Sequence, residues 1–158
     1  MQVRAASEED TPFLVHLACA AYRDVVTRQF GGWDEDEQAA RFADKVARLP
    51  FVVGELSGRP IAAAAASTHP DHVFLDELLV LPAFQGRGYG GHLLGREVRR
   101  ARARGLPLRL HVLRLSRARS FYERHGFVVT GSGGVFVDLE LAVPVASNAS
   151  GTGLRPVA

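Results

Sequence analysis

The reading of this sequence turns on "LVLPAFQGRGYGGHLLG", residues 79–95. A strand-like apolar run meets Pro82, then Gln85, then five glycines between residues 86 and 95. The chain then turns helical. Glycine in a helix costs about 1 kcal/mol relative to alanine, so a glycine-rich helix entry suggests that bare backbone is needed there. The first N–H groups of a helix have no partner within it and carry partial positive charge. They form an anion site, and glycines let a phosphate come close. Arg87 would add a charge-assisted bond. Alone, the signal is weak, because such a junction is often only a turn. It lacks the Lys-Ser/Thr of a phosphate-binding loop. It also does not follow the first strand of a βαβ unit, as a dinucleotide fingerprint would.

Working outward, "HVFLDELLVL" reads as a strand before the junction. "FVVGEL-SGRP-IAAAAAS" reads as a hairpin turning at Ser57-Gly58. The alanine run alone favours helix, but its turn-bounded position makes it a strand. "MQVRAA" is a first strand. Ser7 and Asp10 have capping-box spacing, and Thr11-Pro12 offers a second helix start. That helix runs to about Arg28. "QFGGWDEDE" breaks it. Asp34 and Glu37 repeat the capping logic. Ala39, Phe42, Val46 and Leu49 then form one apolar helix face, and Pro50 ends it.

Beyond the junction, residues 88–104 form a helix closed by Gly105. "LRLHV" alternates, with Leu108, Leu110 and Val112 on one face and Arg109 and His111 on the other. "SRARSFYERH" is a short helix ending at Gly126, and "FVVTG" and "VFVDLEL" are final strands. The order is βααβββαβαββ, an α/β or α+β sheet with helices on both faces. Residues 1–144 read as one domain and 145–158 as a small, polar, flexible tail.

Composition narrows the classes. The 158 residues are 47% hydrophobic and 23% charged, as in an ordinary globular domain. No apolar run of about 18 residues exists, so no membrane span is expected. "MQVRAASEED" does not read as a signal peptide, and a single cysteine, Cys19, allows no internal disulfide. A cytoplasmic protein is the expectation. Residues 86–124 carry eleven arginines against Glu97 and Glu123. That block reads as the wet face of one or two helices, or else as a site for an anion or nucleic acid. It lacks interleaved aromatics, and no nucleic-acid partner is expected.

Two blocks carry a family resemblance. "LLVLPAF" followed by Q-G-R-G-Y-G resembles the Q/R-x-x-G-x-G/A signature of the GNAT superfamily of N-acetyltransferases. "SFYERHGF", some 30 residues on, resembles the family's second block, and the order of elements is similar from residue 1 to about 143. The resemblance implies the acyl-CoA N-acyltransferase fold, with a central, mostly antiparallel sheet and helices on both faces. It implies acetyl-CoA as acyl-donor cosubstrate. Its pyrophosphate would lie on the amides of Gly86, Arg87, Gly88, Tyr89, Gly90 and Gly91, next to Gln85. Its pantetheine would pair with Leu78, Leu79 and Val80 as an added strand does. An N–H near Val80 would face the thioester carbonyl.

The implied reaction is direct attack by a primary amine through a tetrahedral intermediate. By position, Tyr122 would protonate the leaving thiolate. For the base, Glu77 is the first choice, sharing the side-chain face of Leu79, with Asp76 pointing the other way. His111, Asp76 and water follow. Relatives often carry Asn six or seven residues before the Tyr. Here Ser116 stands six before it, and it can give one hydrogen bond to the donor and also cap the short helix. The alternative is a non-catalytic acyl-CoA-binding or regulatory module on the same fold.

The acceptor would be a small-molecule or peptide amine. The family usually holds it between the first two helices and the facing strands. Here that means Tyr22, the "FGGWDEDE" loop with Trp33, and His69, Asp71 and His72. The acids around Trp33 read mainly as helix capping. No metal is expected, because the two histidines have no third ligand in register. The resemblance leaves a homodimer open.

Overall fold

The helix starts follow from side chains that compete for backbone N–H groups. In the computed structural model, which describes residues 1–142 and Pro144, the Ser7 N–H donates to Asp10 Oδ2 at 2.8 Å. A short 3-10 turn, Glu8–Asp10, leads into helix α1, Thr11–Phe30, and Gly31 ends α1 in the left-handed region at φ 82°. Asp34 Oδ1 accepts the Glu37 N–H at 2.9 Å and starts helix α2, Glu35–Arg48. Helix α3 covers Tyr89–Ala103 and helix α4 Ala118–Arg124. The tail expected from residue 145 lies outside the described residues.

The strands are β1 (Gln2–Ala5), β2 (Phe51–Leu56), β3 (Arg59–Thr68), β4 (Val73–Val80), β5 (Leu108–Leu113), β6 (Val128–Gly133) and β7 (Phe136–Leu141). They form one sheet in the order β1-β2-β3-β4-β5-β7-β6. Every neighbouring pair is antiparallel except β4 with β5. The element order is the one expected from the sequence.

Burial on both faces explains why an alanine run becomes a strand. Ile61, Ala62, Ala63, Ala64, Ala65 and Ala66 are all buried. Ala63 and Ala65 pack with Leu14, Leu17 and Ala18 of α1. Ala62 and Ala64 pack with Leu93 of α3. Small side chains let helices approach from both sides, and this packing outweighs the helix propensity of alanine. A third core cluster joins α3 and α4 to β4, β5 and β7 through Leu75, Leu94, Leu108, Leu110, Tyr122 and Leu139.

Strand β4 departs from regularity twice. Ala65 pairs with Glu77 but Ala66 with Leu75, so Asp76 is an extra residue, a β-bulge. Its pairing with β5 covers only Val73↔Leu108 and Phe74↔Arg109. From Leu75 onward the two central strands part, while β5 stays paired with β7 from Leu108 to Leu113.

Two outcomes test this packing. Ala64→Leu overfills the β3 layer and should lower stability by about 1–3 kcal/mol in urea unfolding. The second concerns Asp10, which is buried and bound by Arg4 at 2.7 and 2.8 Å. The hydrogen-bonded Arg4 guanidinium holds its carboxyl well below the usual carboxylate range. A group depressed by folding contributes fully above its unfolded value, near 4, and loses that contribution as pH falls through the folded value. Asp10→Asn should therefore be less stable than the parent at pH 7. In unfolding curves taken from neutral pH downward, the difference should close only below about pH 4.

Candidate active site

The parting of β4 from β5 exposes backbone in a defined pattern. The Leu81 N–H donates to the Ile61 carbonyl at 2.9 Å. The pair between them and the rest of the ladder, Ala62↔Val80, is therefore a non-hydrogen-bonded pair. The N–H and C=O of Val80 point away from β3 and into the gap. With a period of two, Leu78 does the same, while Leu79 turns its polar groups to Ala63 and buries its side chain against α1. Of the three strand residues expected to hold a ligand by backbone, Leu78 and Val80 face the gap and Leu79 does not.

The glycine junction continues that edge. Gln85 Nε2 donates to the Val80 carbonyl at 3.0 Å, pinning the loop to the end of the strand. Gly86 and Gly88 have φ of 72° and 86°. A Cβ there would meet nothing within 4 Å, so backbone conformation and not crowding calls for glycine. Gly91 differs: a Cβ on it would lie 3.3 Å from His125 Nε2, because α4 packs against the first turn of α3. Tyr89, Gly90 and Gly91 present the unpaired N–H groups of that turn. Arg87 lies over the Phe84 ring at 5.6 Å and Tyr89 packs on the same ring, and neither residue lines the cleft that Phe84 borders. Ser116 Oγ accepts the Ala118 N–H at 3.1 Å, capping α4 from the cleft wall.

A cleft of about 1680 Å³ runs from this loop to the space between α1 and α2. Glu77 lies within its wall, 3% exposed. The Tyr22 hydroxyl donates to Oε2 at 2.7 Å, and Lys45 Nζ donates to Oε1 at 2.5 Å. Tyr22 stacks on Phe42 at 5.4 Å. Burial, then the charge of Glu77, pushes the Tyr22 phenol well above its ordinary pKa.

Tyr122 belongs to the core under α3 and α4, edge-on to Phe121 at 5.1 Å and Phe127 at 5.5 Å. Its phenol is also raised, by burial first and by Glu77 second. Glu77 stands on the α1 side of the sheet, so that influence acts through the gap between β4 and β5. His111 is exposed on the cleft wall, between Phe74 at 5.3 Å and Phe136 at 4.2 Å. Desolvation lowers its pKa, which favours the neutral imidazole. Asp76 takes the Ser67 hydroxyl at 2.6 Å and lines the same cleft as Glu77. Simple alternation sets these two carboxylates on opposite faces. The bulge resets the period.

The expected acceptor residues divide. Tyr22 and Trp33 line the cleft. The Trp33 indole donates to Glu35 at 2.8 Å and its face is covered by Arg23 at 5.5 Å, so it is engaged within the protein. His69, Asp71 and His72 do not line the cleft. They gather at the β3–β4 turn, where the two imidazoles stack at 4.5 Å and Asp71 holds His72 and Arg109. That turn is at the opposite end of β4 from Val80.

Two features escaped the sequence reading. Gln29 ties α1 across the cleft, its Oε1 accepting from Leu115 N–H at 3.0 Å and its Nε2 donating to the Val135 carbonyl at 2.8 Å. The other is Lys45. Its signal was present: it is the single lysine of the sequence, one turn beyond Phe42 on α2.

No curated protein matches the sequence. The chain is similar to the PaiA N-acetyltransferase of Thermoplasma acidophilum, solved in complex with coenzyme A. The TM-score is 0.74 at 20% identity, covering 89% of this chain and 98% of that one. It is also similar to the ribosomal-protein-S18-alanine N-acetyltransferase of Escherichia coli, with TM-score 0.66, 21% identity, and coverage of 93% and 97%. At such identities the likeness speaks for the fold. The sequence profile of the Acetyltransferase (GNAT) family matches residues 16–127, a span that holds most of α1, the parted strands, the glycine junction and Tyr122. With most of its length matched, this chain belongs to the GNAT family of acetyltransferases.

Proposed function

We propose that the chain transfers an acetyl group from acetyl-CoA to the primary amine of a small molecule or peptide. The observation that carries this reading is the opening between β4 and β5, across which Val80, Glu77 and Tyr122 share one cleft. The residues present fit the donor. A pyrophosphate needs N–H donors without steric cover, and the junction from Gly86 to Gly91 offers them. A pantetheine chain needs a strand edge, and Leu78 and Val80 present one. Acetyl-CoA supplies an activated acetyl thioester. The protein supplies position and proton movement.

An alkylamine has a pKa near 10 and arrives protonated. Glu77 is the acceptor of that proton. Its carboxylate is buried apart from the side where Lys45 sits, so an incoming ammonium reaches it by displacing Lys45. The Val80 N–H faces the place where negative charge develops on the carbonyl oxygen. Tyr122 gives its proton to the departing sulfur. Burial keeps its phenol protonated until then.

A thiol-release assay over a panel of amines, with calorimetry for acetyl-CoA, tests the reading. Binding at micromolar concentration and turnover on at least one amine are expected. Failure to bind overturns it, and binding without turnover on any amine points to the non-catalytic module. Tyr122→Phe should lower kcat on the order of a hundredfold with little change in acetyl-CoA affinity. Equal loss of both would remove the acid role. Glu77→Gln should lower kcat/KM by a similar factor, about a hundredfold. Unchanged turnover in that variant would transfer the proton to His111.

A further inference from the structure

Lysine and arginine together number 19 in this sequence, and Lys45 is the only lysine. The distinction is chemical. A guanidinium stays charged at any working pH, whereas a lysine can lose its proton and become a nucleophile. The one amine side chain of the sequence lies in the cleft. Its Nζ is 2.5 Å from Glu77 Oε1, and its side chain is 39% exposed on the cleft side of the pair. The carboxylate beneath it is 1% exposed. Passing one proton from Nζ to Oε1 across this contact leaves an uncharged amine, the form that can attack a carbonyl carbon. The result is a free amine held in the same cleft as the Val80 edge and Tyr122.

We propose that Lys45 is a self-acetylation site, modified by the chain's own bound acetyl-CoA when no external amine fills the cleft. The inference rests on the donor reading above. Lys45 gives one proton to Glu77, and its nitrogen bonds to the acetyl carbon as the carbon–sulfur bond breaks. The sulfur leaves with the Tyr122 proton as the free thiol of CoA. The second nitrogen proton returns to the Tyr122 oxygen, and Glu77 releases its own to solvent. The product is a neutral N-acetyl-lysine, and Glu77 is left with the Tyr22 hydroxyl. No oxidant or further reactant is needed.

The test is to incubate the full chain with acetyl-CoA and no added amine, then map peptides by mass. The expected result is one acetyl group on the peptide carrying Lys45, with thiol released in equal amount. The urea-unfolded chain at the same pH and acetyl-CoA concentration should react on the order of a hundredfold more slowly. Glu77→Gln should be slowed by a comparable factor. Should that variant not fold, Tyr122→Phe makes the same comparison from the donor side. Equal rates for folded and unfolded chain mean chemical acetylation and overturn the proposal. So does an unmodified Lys45 in a chain that binds acetyl-CoA and acetylates added amines, an outcome that leaves the enzyme reading intact. Absence of acetyl-CoA binding in calorimetry overturns both.

Discussion

The two central strands, β4 and β5, pair over two residues and then separate. Backbone N–H and C=O groups left without partners inside a domain carry a penalty comparable to a lost hydrogen bond. A fold keeps such an opening only where something else meets those groups. Here Gln85 meets one of them, the Val80 carbonyl. The rest of that edge, Leu78 and the Val80 N–H, faces the cleft. The opening also lets two separate cores communicate. Tyr122 is anchored with α3 and α4, Glu77 with α1 and α2, and the charge of one reaches the phenol of the other. In a continuously paired sheet, a layer of backbone would stand between them.

Much of this was legible from local rules. Ser7 with Asp10 and Asp34 with Glu37 act at a range of three residues, so the helix starts could be read directly. The glycine junction could be read as well, since Gly86 and Gly88 adopt backbone that other residues avoid. What stayed hidden depends on distance or on one-residue shifts. Lys45 meets Glu77 across 32 residues, and no local pattern marks that pair. The acids at the start of α2 read mainly as helix capping, the part Asp34 plays, while Arg23 and Glu35 engage Trp33 internally. His69 and His72 sit near β4 in sequence and far from the site in space. A strand carries its two ends in opposite directions, and proximity along the chain says nothing about which end is used.

The electrostatics of the cleft reflect the same economy of means. Glu77 is a buried carboxylate satisfied by a hydroxyl and an ammonium, an arrangement that breaks badly if one partner is removed without replacement. Under the proposed function, an incoming ammonium would be such a replacement. Arg23, Arg28 and Arg48 are instead paired with acids at the rim, where solvent screens them and each pair contributes little. The charge that matters to the site is the one with least contact with water.

The bulge at Asp76 divides β4 into two segments with independent side-chain phase. Before it, Val73 and Leu75 belong to the core under α3; after it, Glu77 and Leu79 belong to the side of α1. Removing one residue at that point would rotate every later side chain to the wrong face, although composition and hydrophobicity would barely change. The strand therefore behaves like a message with a frame. Substitutions alter single letters, whereas an insertion or deletion at Asp76 alters the meaning of all that follows, including the edge that would hold the donor.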